Sequence, residues 1–164
     1  MSHSSSRLRR VLVAWLYAVA LGHLAVSLFL TWGGHAAVVT DYLATVGHAL
    51  RPDAAPAQEQ ALQRWWLALF GATLQSYSLF MLALVHLGNT LRAPAAWLGL
   101  MAGVLLWAPQ DMHLSIASGV WINLWFDAAA LLVLLPPLAW LYRHDRRCIG
   151  TSPVSPLPHR PDHG

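Results

Sequence analysis

Asn123 and Asp127 stand four residues apart inside a run of apolar side chains. His23, Gln75, Gln110, Asp111 and His113 lie within or at the margins of three similar runs. In hydrocarbon such groups either hydrogen-bond helices together or form a site for a ligand, proton or ion. An Asp at the centre of a membrane helix costs about 2.5–3.5 kcal/mol, so these side chains are expected to face one another. Periodicity agrees: Gly71, Gln75, Ser78, Leu82 and His86 share one helix face, and Asn123 and Asp127 are neighbours on another. His23 falls roughly 10 Å below the outer end of its run, Gln75 roughly 15 Å and Asp127 at most roughly 18 Å, at 1.5 Å per residue. The spacing predicts an outward-opening pocket of His23, Gln75, Asn123 and Asp127, with Gln110, Asp111 and His113 at its mouth. In it, Asp127 pairs with His23. The alternative, that these groups only hold helices together, stays open.

The elements that must position them are four apolar stretches, near residues 11–31, 65–88, 94–110 and 114–141. About 20 apolar residues cross a bilayer. Charged residues are 10% of the 164, against about 25% in soluble domains, too few to cover a water-facing surface. The expected fold is all-α: an integral membrane four-helix bundle. Residues 11–147 form the transmembrane domain and 32–64 the first outer loop. Within that loop, the alternation of Val38, Val39, Tyr42, Leu43, Val46 and Leu50 with polar residues predicts a short amphipathic helix on the membrane surface. Pro52 and Pro56 break the chain, and the next helix begins near Ala57. Pro109 is expected to bend or end the third span, the fourth to begin near Asp111 or Ser115, and Pro136-Pro137 to kink or stop it. Residues 1–10 read as a disordered N-terminus and 148–164 as a disordered Pro-rich tail. Gly71 suits close helix contact, and Gly99-x-x-x-Gly103 suits packing inside the bundle ahead of a dimer seam.

Arg7, Arg9, Arg10, Arg92, Arg143, Arg146 and Arg147 fall on one side of a four-span layout. The positive-inside bias then puts both termini in the cytoplasm. A cleaved leader over 1–36 fits less well, because the apolar run is longer than a signal core and carries His23. The nine tryptophans, including Trp15, Trp97 and Trp140 at one boundary, read as interface anchors.

No Gly-rich phosphate loop, CxxC, HExxH or GxSxG is present. The arginines are scattered at span boundaries, so no nucleic-acid partner is expected. His23 and His86 lie at opposite depths and cannot share a haem, and His35, Asp41 and His48 lack tight metal spacing. No cofactor, metal or catalytic residue is expected. The partners expected are the lipid bilayer and either a homo-oligomer or a larger membrane complex.

Three strings carry a resemblance: Trp65-Trp66-Leu-Ala-Leu-Phe70-Gly71-Ala-Thr-Leu-Gln75, Trp107-Ala-Pro-Gln110-Asp111-Met112 and Leu135-Pro136-Pro137-Leu-Ala-Trp140-Leu-Tyr-Arg143-His144-Asp145-Arg146. Over residues 10–147 they resemble a group of uncharacterised small four-span inner-membrane proteins of proteobacteria. The layout, with its long first outer loop, is similar to DoxX-like and BphX-like proteins. The resemblance implies location and a compact bundle, and no catalytic residue. The expected role is that of a non-enzymatic accessory or self-associating protein. The alternative is a small-molecule or proton binding module, and a quinone- or haem-linked redox subunit comes last.

Overall fold

A computed structural model describes residues 3–50 and 57–149. Among them every element is helical: α1 (His3–Trp32), α2 (Ala37–Leu50), α3 (Ala57–Thr90), α4 (Pro94–Ala117) and α5 (Trp121–Ile149). α1, α3 and α5 are long and apolar enough to cross a membrane. Their exposed residues are lipid-like in character, among them Leu79, Phe80, Trp125, Phe126 and Leu132. A water-facing helix would instead carry one polar face.

The chief pairings are α1 with α3 and α4 with α5, with lighter contacts of α3 to α4 and α1 to α5. One core joins the four: Val13, Leu16 and Ala20 of α1, Met81 and Val85 of α3, Trp97, Leu100 and Val104 of α4, and Leu134, Leu138 and Leu141 of α5. It lies in the half nearest the described chain ends, called here the terminal end. α2 packs lightly at the opposite end.

The α1–α3 pairing is close because Gly71 lacks a side chain. A Cβ there would fall 2.7 Å from Thr31 Oγ1 and 2.9 Å from the Ser27 carbonyl. Ser27 and Ser78, both fully buried, return their hydroxyls to Leu24 O and Leu74 O of their own helices. That leaves no unmet hydroxyl donor at either serine.

Several boundaries differ from the sequence expectation. α1 already includes Ser5–Arg10, where a disordered start was expected. Pro109 does not end α4, which runs on to Ala117 and takes Gln110, Asp111 and His113 into the helix. The break comes at Gly119, whose φ of +69° suits glycine. There Val120 N–H bonds Ser115 O (2.9 Å) and Gly119 N–H bonds Ile116 O (3.1 Å), closing the helix end. Pro136 and Pro137 lie inside α5 without stopping it. Pro137 cannot donate to the Val133 carbonyl one turn back. The Trp15 indole of α1 donates there instead, at 3.4 Å. The Pro-rich tail from Gly150 onward lies outside the described residues.

Candidate functional site

Two polar groups occupy opposite ends of the helices. At the α2 end, Tyr42 Oη donates to Asn123 Oδ1 at 3.0 Å, tying α2 to α5. Asp127, one turn further along α5, is 3% exposed and its Oδ2 is buried with no hydrogen-bond partner. Asp111 of α4 is near enough for its charge to act on both Tyr42 and Asp127. Burial pushes the Tyr42 hydroxyl above its ordinary pKa; the Asn123 hydrogen bond opposes that push and the negative field of Asp111 and Asp127 adds to it. Trp121 and Trp125 are exposed on the outer face of α5. α5 starts at Trp121, so Asp127 lies about 9 Å from the helix start. That is half the depth inferred from a start near Ser115.

The expected pocket is therefore divided. Asn123 and Asp127 lie one turn apart on α5 within range of the Asp111 charge, and Asn123 has Tyr42 as a partner the sequence did not suggest. His23 and Gln75 belong to the α1–α3 seam. His23 Nδ1 lies 3.0 Å from the Val19 carbonyl of its own helix, and its ring meets Tyr77 edge-on at 6.4 Å. Gln75 donates to Thr31 Oγ1 at 2.9 Å, where it stitches α3 to α1. The expected His23–Asp127 pair is not formed. Gln110 donates to the Leu106 carbonyl at 2.6 Å. It lines a shallow open groove with Pro109, His113 and Leu114, and both Gln110 and His113 are exposed. Gly99 and Gly103 meet nothing within 4 Å, so they do not pack inside the bundle as expected, whereas Gly71 does. Among the described residues no three His, Cys, Asp or Glu side chains converge as a metal site would require.

The terminal end holds a group that sequence reasoning missed. Asp145 is fully buried and Arg9 is 5% exposed. Arg9 Nε and an Arg9 terminal nitrogen donate to the two carboxylate oxygens, each at 3.0 Å, in a bidentate fork. Trp97 Nε1 donates to Asp145 Oδ2 at 3.0 Å, and His144 Nδ1 lies 3.1 Å from Oδ1. Trp97 is thus a buried hydrogen-bond donor, not the boundary anchor expected from its position. Arg9 also donates to Asn89 Oδ1 (2.9 Å) and to the carbonyls of Gly88 (3.3 Å) and Asn89 (3.4 Å). Those carbonyls end α3 without helical donors, so Arg9 caps that helix. Gly88 leaves room for Trp97, since a Cβ there would lie 2.7 Å from the indole ring. Arg92, in the α3–α4 turn at φ +50°, reaches Asp145 Oδ1 at 3.8 Å. One carboxylate therefore fastens α1, α3, α4 and α5.

A sequence signal existed. Arg9 continues the buried stripe Val13, Leu16, Ala20 at helical spacing, and Asp145 continues Leu134, Leu138, Leu141. Two core stripes ending in opposite charges mark a buried pair. No family model, curated protein or solved structure matches the chain.

Proposed function

We propose that this chain is a non-enzymatic four-span protein of a bacterial inner membrane that works by associating with a second copy of itself through the outward face of α4. The single observation that carries this is the composition of that face. Gly99, Gln110 and His113 are exposed, Gly103 is half-buried, and neither glycine has a neighbour within 4 Å. At about 100° per residue these four fall on one stripe with Ala95 and Leu106.

Connectivity supports α4 as the fourth span. α3 ends beside Arg9 at the terminal end, and α5 begins beside Tyr42 at the other. If α3 and α5 cross the bilayer, α4 crosses back between them. Its 24 residues reach about 36 Å, enough for a hydrocarbon core of about 30 Å. Exposed Gln110 and His113 on a lipid-facing helix are costly, so they call for cover. A parallel two-fold puts each residue opposite its own copy, and Gln is both donor and acceptor, so Gln110 can pair with itself. The bare Gly99–Gly103 stretch lets two α4 backbones approach closely. The arginines of the terminal end favour a cytoplasmic location for both termini.

Cysteine cross-linking in native membranes tests this, in a Cys148→Ser background. Gly99→Cys and Gly103→Cys are expected to give cross-linked dimers. Leu105→Cys, exposed on another face of α4, is expected to give none. Equal cross-linking at Leu105, or none at the glycines, overturns the reading.

A further inference from the structure

Among the described residues two aspartates are buried, and the fold treats them oppositely. Asp145 receives Arg9, Trp97 and His144. Asp127 is almost as deeply buried, at 3% exposure, yet Oδ2 has no partner. Among the described residues no arginine or histidine forms an ion pair with it. The ionisable groups whose charges couple to this end are an acid of α4, Asp111, and a phenol of α2, Tyr42. A buried carboxylate without a counter-charge costs several kcal/mol, so the neutralising charge has to come from solution.

We propose that Asp127 is an exchangeable site for a small monovalent cation, a proton or an alkali-metal ion, entering from the α2 end. The surrounding chemistry suits such an occupant. Asp127, Asp111, Tyr42 and Asn123 offer oxygens, the ligands hard cations take, and offer no thiolate or imidazole. Asp111 at the rim adds negative field that draws cations inward. In this proposal the cover over the approach is α2, tied to α5 by the Tyr42–Asn123 hydrogen bond one turn from Asp127. α2 is otherwise lightly packed, so the cover opens by giving up one hydrogen bond and a small apolar contact. This site does not depend on pairing through α4 and is testable in monomeric protein.

The test uses full-length protein in detergent micelles, followed by infrared difference spectroscopy. One arm varies pH at fixed salt, and the other varies sodium chloride at fixed pH against choline chloride. A protonated carboxyl band that comes and goes with pH, is lost in Asp127→Asn and is kept in Asp111→Asn identifies the proton as occupant. Loss of that band on adding sodium, with choline inert, identifies alkali-ion exchange at the same oxygens. Tyr42→Phe, which removes the cover's hydrogen bond, is expected to speed hydrogen–deuterium exchange of the band several-fold. Should Asp127→Asn fail to fold, Asp127→Glu serves instead, with the expected result a shifted band. The inference is overturned if neither pH nor sodium changes any carboxyl signal that these variants move.

Discussion

At the residue scale, the buried acids Asp127 and Asp145 show that partner supply decides what an ionisable side chain does. Asp145 with Arg9 is a satisfied structural pair. Its bidentate geometry and the added Trp97 donor offset the desolvation of both charges. Removing one partner leaves the other charge buried and alone. Asp145→Ala is therefore expected to lower stability by about 3–5 kcal/mol, read as an earlier unfolding midpoint in a detergent titration followed by tryptophan fluorescence. The double variant Arg9→Met/Asp145→Leu is expected to recover most of that loss. If the single and double variants unfold alike, the pair's charge is not what holds the terminal end.

At the element scale, helix separation is set by a few positions without side chains, and position within the fold matters more than residue type. Gly71 and Gly99 are both helical glycines. Only Gly71 meets a neighbour: a Cβ there would come within 3 Å of Thr31 and the Ser27 backbone. Gly71→Ala is expected to force α1 and α3 apart and to cost about 1–3 kcal/mol. Gly99→Ala in the monomer is expected to stabilise slightly, because alanine favours helix by roughly 1 kcal/mol. Comparing the two midpoints in dilute detergent checks both signs. The prolines of α5 follow the same logic. Pro137 frees a carbonyl, and Trp15 from α1 takes it, so a backbone hydrogen bond missing from one helix becomes a contact to another.

At the scale of the whole molecule, the two ends differ in how firmly they are held. The core and the Arg9–Asp145 fastening lie at the terminal end; at the other end α1 and α3 stay closely packed through Gly71 and Thr31, while α2 itself is held by Tyr42–Asn123, buried Val39 and little else. Because burial raises the Tyr42 pKa above its unfolded value, the folded state favours the neutral phenol. That contribution is complete below about pH 10 and is lost as pH rises through the folded value. Above about pH 10, α2 is expected to gain hydrogen exchange before α3–α5 do, and Tyr42→Phe is expected to remove that alkaline step. Exchange that rises uniformly along the chain would count against it. The all-helical class, the lipid-like apolar surface, α2, the start of α3 and the close-packing role of Gly71 were all legible in the sequence, because composition and helical period are local properties. The neighbours of His23 were not legible. Depth along a helix was readable, but which helices touch was not, and α1 turned out to pack chiefly on α3. The extent of α4 was hidden too, since Pro109 announces a break that the surrounding helix overrides and Gly119 supplies instead. The sequence by itself determined the all-helical class and three helices apolar enough to cross a membrane, because composition and helical period are set locally. Only the tertiary structure decided which buried charge received a partner, because pairing depends on contacts between residues as far apart as Arg9 and Asp145, which no local pattern sets.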